Sequence, residues 1–361
     1  MTKTKLLDEH LRNFDPSKYA STRNFETGTV SKLSPYISRY AISLQDVYLY
    51  IKNKGYTFEQ AEKFYQELAW REFWQMYANR YGIALLKDFR TNQHDMQQTG
   101  TPQAIVEACT GIKSIDKSIN ELYQTGYMHN HWRMYVASTV CNIGHYHWYD
   151  AARWMYYHLY DADWASNFLS WQWVAGTFNL KIYYANQENI NKYSAQTQHG
   201  TFLDCSYDEL AQAPTPEVLR RAVNQNLATK LPETKPPHIR KDLPTLIYNF
   251  YNLPLNWHTD WDANRILLLE PAHFDAFPVS TKVLDFALEL AKNITDIQLY
   301  TGSFESLKEL TLDSKIYFVK HALFNHYQGE AEERIGLFKN TNFYLSFFNF
   351  WNEHKTQLSD K

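Results

Sequence analysis

DADWASNFLSWQWVAGTFN, residues 161–179, carries the reading from which the rest of the chain is interpreted. Two aspartates, Asp161 and Asp163, precede a run in which Asn167 and Trp171 lie one helical turn apart while Trp173 points elsewhere. An acidic helix start is ordinarily a cap and no more. Here an asparagine, a glutamine and two tryptophans share one short helix, an expensive way to build a core, because each polar head needs a buried partner. The segment predicts a helix over 164–174 with a chemical purpose beyond packing.

Further helices are expected upstream, near 43–53, 113–124, 128–141 and 150–159. The longest runs from Thr57, spaced with Gln60 as a capping box, to Gly82. On it Glu67, Trp70, Arg71 and Trp74 fall at i, i+3, i+4 and i+7, so a carboxylate, a guanidinium and two indoles share a face. Spacing alone favours a core stripe with Glu67 and Arg71 as its polar edge. In TGYMHNHWRM (125–134), Asn130, Arg133 and Met134 gather at i, i+3 and i+4. His129 and His131, like His145 and His147, diverge on a helix, so no metal site is expected.

Seven of the twelve prolines lie between Pro214 and Pro254, which reads as an irregular connector. Beyond it the period changes: RILLLE, DIQLY and KIYFV are short apolar runs separated by helical stretches such as STKVLDFALELAKN. The fold class expected is therefore mainly α, a helical domain over 1–210, a proline-rich connector over 211–256 and a small βαβ-type α/β region with a parallel sheet over 257–361.

The composition sets bounds. With 361 residues and 44% apolar content the chain buries a large core, which excludes disordered and fibrous classes. Its 27 Tyr, 21 Phe and 11 Trp suit packing, and equally stacking and electron hopping. A net charge of -3 means that any nucleic-acid contact must come from a local basic patch. Cys109, Cys141 and Cys205 are scattered, odd in number and too few for a four-cysteine cluster, which argues for reduced thiols. No apolar run approaches the ~18 residues of a membrane span and MTKTKLLDEH lacks the apolar core of a signal peptide, so a cytoplasmic location is expected.

TVSKLSPYIS, ELAWREFW, TGYMHNHWRM and ASNFLSWQWVAGTF occur in an order and spacing that resembles the flavin-binding domain of the photolyase/cryptochrome family over roughly residues 19–200. The likeness is greatest to short photolyase-like proteins without the amino-terminal α/β antenna domain. The resemblance implies FAD as cofactor, held by Tyr19, Ser31, Lys32, Leu33 and Ser34 around its pyrophosphate and ribose, by Arg71 and Arg133, and by Asp161, Asp163 and Asn167 beside the flavin. It further implies a thymine dimer flipped from DNA, single- or double-stranded, to stack on Trp70 and Trp173. Glu67 would hydrogen-bond its carbonyl edge, Asn130 and Met134 would contact it, and Arg23 would hold a phosphate. Light-driven splitting of cyclobutane pyrimidine dimers by an electron from reduced FAD is the activity so implied, a carbon–carbon lyase reaction.

The pattern departs in places. Trp171 and Trp148 match the inner two members of the family's photoreduction relay, but the outer position falls near Asp95 with no tryptophan; a tyrosine or Trp132 is then required, or photoreduction is slow. Ala162 interrupts the usual Asp–Gly–Asp, and His131 stands where many relatives have a phosphate-binding arginine. The region from about Trp257 is either an antenna-like layer or a packing and partner-binding domain. Two other readings remain: a cryptochrome-like blue-light photoreceptor that binds FAD without repair, and a helical protein that has lost FAD. The dimer-contacting set disfavours the first, and Asp161, Asp163 and Asn167 disfavour the second.

Overall fold

Thr57 and Gln60 close the expected capping box, each side chain taking the other's backbone N–H, in the computed structural model, which describes residues 2–311, 314–339 and 342–359. In chain order the helices are α1 (Lys3–Leu11), α2 (Pro16–Thr22), α3 (Ser34–Ser38), α4 (Leu44–Asn53), α5 (Phe58–Tyr81), α6 (Gln103–Val106), α7 (Lys113–Thr125), α8 (Asn130–Ser138), α9 (Trp148–His158), α10 (Trp164–Ala175), α11 (Gln187–Tyr193), α12 (Tyr207–Leu210), α13 (Pro271–Ala276), α14 (Thr281–Ala291), α15 (Phe304–Thr311) and α16 (Phe347–His354). The strands are the short antiparallel pair β1 (Thr101–Pro102) and β2 (Ala222–Val223), then β3 (Thr245–Tyr248), β4 (Asn264–Leu269), β5 (Ile297–Thr301), β6 (Ile316–Val319) and β7 (Glu330–Glu332). The chain is thus helix-rich and carries one parallel sheet of five strands.

Two compact units divide it: Met1–Ala20, Val30–Gly82 and Ala228–Lys361 form one, Ser21–Thr29 and Ile83–Leu227 the other. This division differs from breaks at 210 and 256. The irregular stretch is real from Asn224 to Pro244, but β3 follows immediately, inside the range read as connector. Pro244 sits just before the strand, where its missing N–H costs no ladder bond, and Thr245 N–H donates to Lys315 O at 2.8 Å.

In the first unit the sheet order is β5-β4-β3-β6-β7, with every neighbouring pair parallel. Its first strand in the sequence lies at the centre, so the chain winds outward one way and then the other, a doubly wound arrangement with its switch between β3 and β6. All residues of β3 and β4 are buried, as central parallel strands covered on both faces require. Segments from the early chain dock on it: Leu253 N–H donates to Arg39 O at 2.8 Å, and the Arg39 guanidinium lies 3.7 Å from the centre of the Phe250 ring. Aromatic residues of α16 pack along α5, with Trp70 and Phe347 stacked at 3.6 Å and 9°.

In the second unit α8, α9 and α10 pack on one another. The single helix expected over 128–141 ends at Ser138, and Thr139–Ile143 continues as one π-helical turn. Asn142 anchors that turn, its amide donating to Val174 O at 3.0 Å and Tyr183 O at 2.8 Å. Gly126 ends α7 at φ +67°, where an added Cβ would meet Tyr160 Cδ1 at 2.2 Å. Gly126→Ala is expected to lose about 1–2 kcal/mol from the left-handed backbone alone, read as a lower urea midpoint at unchanged slope.

Candidate functional site

The polar heads around α10 do find buried partners. Asp163 caps the helix, accepting from Ser166 N at 2.8 Å, and Gly176 ends it at φ +79°. Asp161, two residues earlier, is buried and accepts from Arg133 Nη1 at 2.9 Å. Arg133 is itself fixed by donating Nε–H to Met128 O at 2.8 Å. Asn167 donates Nδ2–H to Ala152 O at 2.8 Å, which sets the orientation of its amide, and Gln172 bridges Leu85 O and Phe89 N. Ala162, where the resemblance expects glycine, takes φ +20°, the edge of the region that glycine favours.

This arrangement gathers a cation, two carboxylates and an amide on α8, α10 and the turn before α10. Among the described residues Ser166 Oγ is buried there with no hydrogen-bond partner, an unmet polar group of the kind a ligand satisfies. A donor and acceptor set of both signs fits a large polar cofactor with phosphate, hydroxyl and ring-nitrogen edges.

The remaining second-unit residues lie on α8, α9 and α10 and in the segment just after α2. Asn130 is exposed as the first residue of α8, with Arg133 and Met134 half-buried one turn on. Trp171 is buried; Trp173 is half-buried with its ring 6.0 Å from that of Tyr183. Arg23 is half-buried and its charge acts on the buried His131, whose ring packs between Tyr135 and Tyr193 at 4.5 and 4.8 Å. Trp148 is fully buried and donates its indole N–H to Asp88 Oδ1 at 2.6 Å. Asp88 was not singled out in the sequence: it lies far from Trp148 along the chain, in a segment with no periodic signal.

In the first unit, Tyr19 is half-buried with Phe64 against its ring at 5.3 Å. Ser31 is half-buried, Lys32 is exposed at φ +52°, and Leu33 is buried just before Ser34 opens α3. Arg71 donates to Ser38 Oγ at 2.8 Å, so α5 holds the turn that follows the SKLS run. Glu67 pairs with Lys63 Nζ at 3.0 Å, one turn back on the same helix. Trp70 is half-buried, one face taken by Phe347. Glu72, on the same helix, accepts the Leu337 and Phe338 N–H groups, and burial pushes its carboxyl up to about 7.

A family profile described as the FAD binding domain of DNA photolyase matches residues 64–250. The chain belongs to this family. Its range covers α5 from Phe64 onward, α8 and α10, and leaves Tyr19 and Ser31–Ser34 outside. A deoxyribodipyrimidine photo-lyase of Alkalihalophilus pseudofirmus is 28% identical over 204 residues, 55% of this chain and 42% of that protein. One of Streptomyces griseus is 34% identical over 149 residues, 41% of this chain and 32% of its own length. A cryptochrome DASH of Natronomonas pharaonis is 28% identical over 54% of this chain and 42% of its own. The chain thus spans less than half the length of these curated relatives. Among solved structures, a Synechocystis cryptochrome matches 53% of this chain and 42% of its own at 26% identity, with a TM-score of 0.48. FAD is the cofactor of the matched family domain. Among the described residues no helix is long and apolar enough to cross a membrane, and no group of three or more His, Cys, Asp and Glu is placed to hold a metal.

Burial, with the nearby charges of His129 and Arg23, depresses the His131 ring from 6.5 to about 4. The folded state therefore favours the neutral ring, and this stabilisation is full above pH 6.5 and lost as pH falls toward 4. Over that window the parent should lose up to about 3 kcal/mol more than His131→Phe, as measured by urea unfolding at each pH. Equal losses would show that His131 titrates normally.

Proposed function

We propose that the protein repairs cyclobutane pyrimidine dimers in DNA, as a light-driven photolyase with FAD as its cofactor. The observation that supports this reading most is the pairing of half-buried Arg133 with buried Asp161, with Asp163, Ser166 and Asn167 around the start of α10, inside the family match. These residues, with Tyr19, Ser31, Lys32, Leu33, Ser34 and Arg71, are the ones assigned to the cofactor. The chemistry that FAD would supply there is light-driven loan of one electron, returned once the dimer has split.

The chain's own residues then bind, orient and keep dry. Trp70 and Trp173 each offer an indole face to a pyrimidine, and Met134 adds a soft apolar contact. Glu67 and Asn130 hold the carbonyl and amide edge, where negative charge develops once the electron arrives. Arg23 takes a backbone phosphate, and the neutral His131 beside it adds no charge, which predicts modest duplex affinity and a shallow salt dependence. The helical part read as 1–210 is assigned to cofactor and substrate, and the α/β region to support of the early helices.

A second reading, a cryptochrome-like photoreceptor that binds FAD without repair, draws on one observation: Phe347 already covers a face of Trp70. Ultraviolet-irradiated oligothymidine, mixed with chemically reduced, FAD-loaded protein, decides between them. Repair predicts dimer loss under blue light and none in darkness, with Glu67→Ala slower by on the order of 10²-fold. FAD-loaded protein that leaves the dimers intact would establish the photoreceptor.

A further inference from the structure

The relay read from the sequence stops at Trp148, with no outer tryptophan, yet the surroundings of Trp148 are built for something more specific than packing. The indole is fully buried and its N–H donates to Asp88 Oδ1 at 2.6 Å. The same oxygen lies 3.1 Å from His147 Nε2, while Asp88 Oδ2 accepts from Gln93 N at 2.8 Å. Gln93 in turn accepts the Trp148 backbone N–H at 3.0 Å and donates to Tyr146 O at 2.7 Å, so indole and carboxylate are held by one closed network. The Asp88 side chain remains 17% exposed and that of His147 25%, so the carboxylate links a buried ring to solvent. On its other side the Trp148 ring approaches Phe168 at 6.1 Å, one turn before Trp171 on α10.

An indole hydrogen bond needs only a neutral acceptor, and a backbone carbonyl would serve. A carboxylate placed there does two further things. It stabilises positive charge on the ring, which burial would otherwise penalise heavily. It also provides a base for the N–H proton, which becomes far more acidic once the ring has lost an electron.

We propose that Trp148 is the terminus of this chain's photoreduction relay and that Asp88 accepts its indole proton there, so that no outer tryptophan is needed. The inference rests on the FAD assignment of the preceding section. One electron leaves the Trp148 ring, by way of Trp171, for the light-excited oxidised flavin. The Nε1–H bond breaks, its proton passes to Asp88 Oδ1, and the carboxylate becomes a carboxylic acid. A neutral tryptophanyl radical remains, and charge and atoms are conserved. The proton transfer blocks direct return of the electron, because recombination must first retrieve the proton. A diffusible thiol then gives one electron and becomes a thiyl radical, its own proton going to solvent, while the proton held by Asp88 returns to Nε1 and restores both the indole and the carboxylate.

The test compares the FAD-loaded parent with Asp88→Asn, which keeps an acceptor oxygen but removes the base, and with Trp148→Phe. After a blue flash the parent should show, by electron paramagnetic resonance, a radical whose hyperfine pattern is the same in light and heavy water. It should be absent in Trp148→Phe. In Asp88→Asn the radical should retain an exchangeable-proton coupling and decay about tenfold faster. The same neutral radical with the same lifetime in Asp88→Asn would overturn the proposal, as would flavin-loaded parent with no Trp148-dependent radical. If the purified chain carries no flavin, the FAD assignment has failed separately. Pulse-radiolytic oxidation of the full chain by azide radical, with Trp148→Phe subtracted, then puts the same question to Asp88 with the same two outcomes.

Discussion

A carboxylate taken out of water must be met by a cation and by hydrogen bonds, or it costs several kcal/mol. The Asp161–Arg133 pair is where this chain meets that demand, and much of the second unit follows from it. Arg133 can reach Asp161 only if α8 lies alongside the turn before α10, and its Nε–H bond to Met128 O fixes the approach. Met128 lies just after Gly126, whose carbonyl takes the Tyr160 N–H at 2.8 Å, so the end of α7 is clamped to the same turn. The Ala162 backbone at φ +20° is the conformational cost of placing Asp161 and Asp163 on either side of one residue. Asp163 can then cap α10 while Asp161 faces the arginine.

The first unit solves a different problem, how to stabilise a long aromatic helix. Between Phe64 and Tyr77 α5 presents rings on more than one side, and a solvated face would leave them wet. α16 covers them with Phe347, Phe350 and Trp351, all buried. Glu72 reinforces that cover by accepting backbone N–H groups from the segment leading to α16. The raised carboxyl follows from the same enclosure, since burial outweighs the two donors. Trp70 is therefore part of a packed aromatic stack, with one indole face already taken by Phe347.

What the sequence revealed follows physical lines. The caps of α5 and the start of α10 were legible because Thr57–Gln60, Gly82 and Asp163 act locally, within a turn of the helix they bound. β4, β5 and β6 were legible as apolar runs between helical stretches. β3 was hidden because its three apolar residues, Leu246, Ile247 and Tyr248, gave a weaker signal than the prolines around them. β7, with the sequence Glu-Ala-Glu, has no apolar signal at all, as suits the outermost strand of the sheet. The two-unit division was also out of reach, because it depends on early helices docking on a sheet encoded some 200 residues later, a long-range choice that no window can see.

Site residues divide in the same way. The polar heads of α10 betrayed themselves by their cost, since an asparagine, a glutamine and two aspartates in an apolar setting demand partners. Asp88 carries no such cost in the sequence, where it is one acidic residue in a loop, and it gains meaning only when the fold places it 2.6 Å from a buried indole. Glu67 differs, because helical spacing finds that carboxylate and its pairing with Lys63 at 3.0 Å is likewise local to one helix. Spacing identifies groups that share a face; it says nothing about groups that converge from different segments. A carboxylate brought to a buried ring from a distant loop is held there by a network of four residues, and a network of that kind has no packing role that an apolar side chain could not fill more cheaply.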